Sequence, residues 1–284
     1  MRRKTATEYR ASILKIQHLY STPQVLSKAL RLMQQLDVNL DSVIELIRHD
    51  ASLTADLIHV SNSALFCRGQ RHVDLAGAMQ RLGLREVLRV VGLSLSKNLF
   101  GKGLSNYGVS SQEYWKTSVL GALLMEAFAR RHNIDPMVAD TVGILHALGR
   151  VLINEVLEEV GSKQVWSGEI PMEYWELESV GFSYAEAGAL LLRQWDFPDS
   201  ICEPIENQLE PITAVVPNSI DGLIRLTVHL LYQNRSVDFA SDWTFEVSEE
   251  ILKWAGFKSE EELRKVVLKA QKDLLVVESQ LGAP

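Results

Sequence analysis

Cysteine is nearly missing from this chain of 284 residues; Cys67 and Cys202 are far apart and are the two it has. A disulfide framework and a zinc ribbon both need clustered thiols, so neither is expected, and both cysteines read as reduced thiols. Long hydrophobic runs are short of what a bilayer needs, roughly 20 apolar residues. The longest candidate, Val119 to Ala129, carries Glu126 and suits a core helix. The basic start Met1-Arg2-Arg3-Lys4 is followed by Thr5, Thr7, Glu8 and Arg10 instead of an apolar segment, which argues against a secretory signal. A cytoplasmic protein away from membranes is the expectation. Cationic excess is missing too: the net charge of −7 and pI near 5.6 oppose broad attraction to nucleic acid. Alternating Val/Ile/Thr runs are absent, since Val215-Val216 and Asp242 to Val247 are too short to build a sheet. There is no nucleophile paired with a base, no glycine loop for phosphate, no zinc spacing, no internal repeat and no low-complexity tail.

What is present is helical periodicity from end to end. At 46% hydrophobic the chain can bury one large core or two smaller ones. Thr22-Pro23 opens a helix from Gln24 to Leu36, where Val25, Leu26, Ala29, Leu30, Met33 and Leu36 recur at three and four residues. Ser42 to His49 places Val43, Ile44, Leu46 and Ile47 on one side. Ser110 with Glu113 and Ser259 with Glu262 match a capping box, and Ser111 to His132 reads as one helix ending in cations that suit its dipole. Gly83, between two apolar periodic runs, is placed to end one helix in a left-handed residue before another begins. Soft regions near Lys102 to Ser111 and Gln208 to Asp221 divide the chain into an N-terminal bundle of short helices (1–105), a second bundle (106–210) and closing helices (211–284). The last of these includes a charged amphipathic helix, Glu260 to Gln280, laid against the rest. The expected fold is all-α.

Several motifs occur in a telling order. Ile47-Arg48-His49-Asp50-Ala51-Ser52-Leu53-Thr54 is followed by Val60-Ser61-Asn62-Ser63-Ala64-Leu65-Phe66, and then by Ala78-Met79-Gln80-Arg81-Leu82-Gly83-Leu84-Arg85-Glu86-Val87. Trp115 and Ser118 come next, then Gly143-Ile144-Leu145-His146-Ala147-Leu148-Gly149-Arg150, and Tyr184-Ala185-Glu186-Ala187-Gly188-Ala189-Leu190-Leu191 ahead of Trp195. In this order, over roughly residues 14 to 205, they resemble the HDOD domain, the HD-related output domain of bacterial signalling proteins. The resemblance implies an N-terminal bundle of short helices packed on an HD-like C-terminal bundle. It also implies environmental sensing, cyclic-di-GMP-linked control, motility or gene regulation, with input or output supplied by a signalling partner in a separate chain.

HD phosphohydrolases hold divalent cations with a first histidine, a His-Asp pair, further histidines and a last aspartate. By resemblance the corresponding positions here are Thr117, His146-Ala147, Tyr184, Asn207-Gln208 and Val228. One imidazole survives, and catalytic metal sites need at least three converging protein ligands or clustered carboxylates. A non-catalytic protein that binds partners or a small ligand, with neither metal nor cofactor, is therefore the leading expectation; a residual hydrolase that recruits Asp140 or Glu186 to His146 is the alternative. Asp140, six residues before His146, does not share its helical face.

Thr117, His146, Tyr184, Asn207 and Gln208 are the candidate lining of a remnant pocket, for which a nucleotide is a possible ligand. His146 either donates to a bound anion there or sits half-buried, bonded to backbone between helices. Arg68, Arg71, Arg85 and Arg89 either form an anion-binding face or belong to a solvated surface with local pairing. Asp50, in the one His-Asp dipeptide, reads as the cap of the following helix. Asn62 and Ser63 read as loop-satisfying side chains, and Trp115, Trp195 and Phe197 as core anchors.

Overall fold

The computed structural model describes residues 23–33, 40–63, 65–67, 69, 71–232 and 246–282. Three short helices come first: α1 (Pro23–Met33), α2 (Leu40–Ile47) and α3 (Ala51–Ser61). They pack on α4 (Leu75–Phe100), the longest helix, which α3 meets most extensively. The expected α1 start and α2 apolar face are present, with Val43 and Ile47 buried, while the end expected at Leu36 lies outside the described residues. Asp50 caps α3 through its carboxylate, which accepts from the Leu53 amide at 3.0 Å. Asn62 ties down the loop that follows: its side chain donates to the His72 carbonyl at 2.7 Å and accepts from the His72 amide at 2.9 Å.

Gly83 interrupts α4 with φ 75° and ψ 157°. The positive φ expected from the sequence is there, and two helical stretches meet across the glycine as expected, although its ψ is extended and not left-handed helical. Beyond a bend at Gly101 lie a single turn of 3₁₀-helix, Ser105–Tyr107, and an isolated bridge between Leu104 and Val109, the one trace of strand pairing among the described residues.

Helix α5 (Ser111–His132) is the axis of the second half and begins with the full capping box of Ser110 and Glu113. Around it stand α6 (Pro136–Leu145), α7 (Leu148–Glu159), α8 (Met172–Val180), α9 (Tyr184–Gln194), α10 (Asp199–Glu206) and α11 (Ile220–Tyr232). A second complete capping box, Ser183 with Glu186, starts α9 and escaped the sequence reading. At the chain's end come α12 (Glu249–Trp254) and α13 (Glu260–Leu281). At α13 the expected box is half made: Ser259 accepts from the Glu262 amide, but Glu262 accepts from Lys258. The apolar stripe Leu263, Val267, Ala270, Leu274 and Val277 is buried, and Lys116–Glu278 at 2.8 Å and Arg131–Glu262 at 3.0 Å pin α13 along α5.

One continuous core runs through both halves, from Leu26 to Val277. Trp115, Trp195 and Phe197 are core side chains, as expected. Residues 136–159 are long and apolar enough to match a membrane span by length and composition, a stretch the sequence reading passed over. That window is 78% buried among the other helices, as a core segment is.

Two glycine contacts set the spacing of the central helices. A Cβ on Gly143 would stand 2.6 Å from the Gly121 carbonyl oxygen, so α5 and α6 touch backbone to backbone there. A Cβ on Gly149 would run into the Tyr184 carbonyl oxygen at the start of α9. Overfilling such a contact typically costs ~1–3 kcal/mol, and here backbone must move. Gly149→Ala is therefore expected to lower stability by about 3 kcal/mol in urea unfolding, with Gly83→Ala costing ~1–3 kcal/mol through its positive φ alone. An unchanged midpoint for Gly149→Ala would remove this contact from the account.

Candidate functional site

A well-formed cavity of about 450 Å³ opens between the Ser105–Tyr107 turn, α5, α7, α9, α11 and the 160–172 segment. Leu104, Val109, Ile170, Pro171, Met172, Leu209 and Val228 supply an apolar lining, and Tyr107, Tyr114, Trp166, Tyr184 and Tyr232 an aromatic one. Thr117, Arg150, His229, Glu169 and Glu173 are its polar wall.

Arg150 dominates the interior. Its first-turn position on α7 follows from the Gly149 contact, which lets α7 approach α9 closely enough for the guanidinium to reach Tyr184. The guanidinium carbon lies 4.1 Å from the ring centre of Tyr184 and 4.1 Å from that of Tyr232, a cation held between two π faces. The residue is 5% exposed, and its Nε–H has no hydrogen-bond acceptor. Burial works against its charge, but the neighbouring tyrosines and Glu176 more than restore it, so it stays a cation. Among the described residues no carboxylate lies within ion-pair distance of it.

Most tyrosine hydroxyls here are committed. Tyr114 donates to the Ala147 carbonyl, and Tyr107 donates to Glu176 at 2.9 Å. The Tyr184 hydroxyl is buried with no partner, and burial holds its pKa well above the ordinary range, so it remains a donor. Glu176 is fully buried and also accepts from the Tyr184 amide at 2.7 Å. Burial pushes its pKa up to about 7, against the opposing pull of Arg150.

Only two of the five expected pocket residues face this space, Thr117 and Tyr184. Thr117 is occupied locally, donating to the Glu113 carbonyl at 2.8 Å. His146 lies behind the wall and is fully buried, not half-buried. Its Nδ1 contacts the Gly143 carbonyl at 2.6 Å, which makes that nitrogen the donor; Nε2, 2.7 Å from the Tyr232 hydroxyl, is then the acceptor. Burial drives its pKa down to about 4, so the ring is neutral. Gln208 donates to the His146 carbonyl at 2.9 Å and to Ile205 at 2.7 Å, while Asn207 forms the C-cap of α10 and stays out of the cavity. Val228, expected in the last aspartate's place, lines the cavity, but the residue that meets His146 is Tyr232, one turn later.

This arrangement does not fit a divalent cation. Both His146 nitrogens are engaged, Ala147 has no donor atom, and among the described residues no three His, Cys, Asp or Glu side chains converge. Neither candidate carboxylate joins His146: Glu186 caps α9 through the Ser183 amide at 2.9 Å, and Asp140 sits in the electrostatic neighbourhood of Arg89.

The arginines do not form the expected face. Arg68 lies outside the described residues, and Arg71 borders a separate shallow depression with His59 and Asn62. Arg85 and Arg89 both turn to Glu126, at 2.8 and 3.5 Å, and Arg130 joins them at 2.7 Å. One carboxylate gathers three guanidinium groups, which is local pairing across α4 and α5.

A sequence model of the HDOD domain matches residues 19–211. The chain belongs to the HDOD family. An uncharacterized protein of Treponema pallidum (strain Nichols) is 25% identical over 255 residues, which is 85% of this chain and 47% of that protein. The chain thus spans about half of that relative's length. Among solved structures, an HDOD domain protein of unknown function from Geobacter sulfurreducens superposes with a TM-score of 0.64 at 19% identity, covering 97% of each chain. A protein provisionally named for signal transduction, from Marinobacter aquaeolei VT8, gives 0.66 at 20% identity over 93% of this chain and 59% of its own. A provisionally named phosphohydrolase from Shewanella amazonensis SB2B gives 0.61 at 20% identity over 96% of both. At such identities the likeness concerns the fold: this HDOD chain is an all-α, HD-like bundle.

Sequence reasoning missed Arg150, Tyr107, Tyr114, Tyr232 and Glu176. Arg150 was within reach, as the last residue of the Gly143 to Arg150 motif, but attention to metal ligands left it unused.

The raised pKa of Glu176 has a measurable sign. An unfolded glutamate releases its proton near 4.5, whereas the folded one holds it to about 7. The stability Glu176 contributes is therefore complete below 4.5, falls as pH rises, and is lost above about 7, by something on the order of 1–3 kcal/mol. Urea unfolding between pH 4.5 and 7.5 is expected to show a flatter profile for Glu176→Gln than for the native chain; parallel profiles would refute the assignment.

Proposed function

We propose that this HDOD protein is a non-catalytic element of a bacterial signalling pathway, working in the cytoplasm by taking a small ligand into the cavity and passing the change to a separate partner protein. The observation that carries the reading is His146, whose two ring nitrogens are engaged by Gly143 and Tyr232 where a hydrolase would present a free lone pair to a metal. Hydrogen bonds occupy the positions that the resemblance assigns to metal ligands, and the cavity beside them has Thr117 and Tyr184 on its wall.

Cyclic-di-GMP control is the pathway that the family points to first. The cavity itself supports a ligand of lower charge: it offers one buried cation, and Glu169 and Glu173 border it. A dinucleotide with two phosphates would need more positive charge than that.

Metal analysis of purified protein with hydrolysis assays on phosphomonoesters and cyclic dinucleotides tests the reading. The expected result is no stoichiometric transition metal and no turnover. One tightly bound metal per chain, with turnover abolished by His146→Ala, would establish the hydrolase alternative instead.

A further inference from the structure

The polar groups left without partners in the cavity define what it can hold. Thr117, Tyr107, Tyr114 and Tyr232 have their hydroxyls bonded, and the Trp166 indole donates to the Ile170 carbonyl at 2.9 Å. Two unmet donors remain, the Arg150 Nε–H and the Tyr184 hydroxyl, both on residues at most 5% exposed. A buried guanidinium with no carboxylate partner is an incomplete ion pair, and leaving it so is costly.

The stacking also restricts the direction of approach. The rings of Tyr184 and Tyr232 are each centred 4.1 Å from the guanidinium carbon, and the unmet Nε–H lies on the guanidinium edge, where a further contact would be made. Edge-on, a guanidinium presents paired N–H donors whose spacing matches the two oxygens of a carboxylate. Tyr184, stacked on the same cation, carries the second unmet donor.

Size and lining complete the description. About 450 Å³ is in the lower part of the ~300–1,000 Å³ span of small-molecule sites, and the walls away from Arg150 are aromatic and aliphatic. Glu169 and Glu173 set like charges against polyanions while leaving one deeply held negative charge matched by Arg150.

We propose that the cavity binds an aromatic monocarboxylate, its carboxylate against the edge of Arg150 and the Tyr184 hydroxyl, its ring among Tyr107, Tyr114 and Trp166. This rests on the binding reading above and names the chemical class of the ligand.

Isothermal titration of the full chain with 2-naphthoate, its neutral isostere 2-naphthamide, and cyclic di-GMP tests it. The acid is expected to bind saturably at one site and the amide about tenfold or more weakly, the difference one charge-assisted hydrogen bond makes. Arg150→Lys, which keeps the charge but loses the planar fork, should weaken naphthoate by a similar factor. Tyr184→Phe removes a hydroxyl with no partner in the protein, so it should weaken naphthoate while keeping the unfolding midpoint. Glu173→Gln should tighten binding. Equal affinity for acid and amide, tighter binding of cyclic di-GMP, no saturable binding, or naphthoate affinity unchanged in both Arg150→Lys and Tyr184→Phe would each overturn the proposal. Those failures leave the metal and turnover results standing, and turnover in that assay would defeat the binding reading even if naphthoate bound.

Discussion

The close approach of Gly149 to the first turn of α9 is the constraint on which the site depends. Without a side chain at that position, the α7 backbone rests on the Tyr184 carbonyl, and the next residue, Arg150, is carried between Tyr184 and Tyr232. A methyl group there would separate the helices and draw Arg150 away from the two tyrosine rings. Gly143 does the same for α6 against α5 and brings His146 over Gly121, where its ring is within van der Waals reach. Two residues defined by having no side chain thus decide where the chemically distinctive ones stand.

Around that frame, hydrogen bonds hold the side chains of the HD-like bundle in place. Thr117 bonds within its own helix, His146 is fixed between Gly143 and Tyr232, and Gln208 holds the His146 carbonyl. Each of these bonds satisfies a buried polar group. The buried cation that faces the cavity is Arg150.

The helices, several of their caps and the family were legible because they are written locally: apolar spacing, Ser or Asp at a helix start, glycine at a turn. Asp50, Ser110 and the α13 stripe could each be read from a few neighbouring letters. The site was legible only in part. Thr117 and Tyr184 were found through motif positions, but Tyr107, Tyr232 and Glu176 come from distant segments that only packing brings together. Local pairing of the arginines was one of the two readings, but its partner was hidden for the same reason: Glu126 lies some 40 positions from Arg85, and no local pattern announces that it will collect three cations. Gly83 shows the limit of local reading in miniature, since a glycine signals a positive φ and a break between helices without fixing ψ.

The seat of α13 bears on how the protein comes to be made. Lys97 near the end of α4 donates to the carbonyl of Leu281, 184 residues away, and Lys116 reaches Glu278 from α5. During synthesis α13 leaves the ribosome after every other described element, so the strip of α5 that it covers stays open to water until α13 has emerged. Contacts of such long sequence separation close late, and surface awaiting them is what chaperones recognise. Until then the growing chain carries an uncovered apolar strip along its central helix.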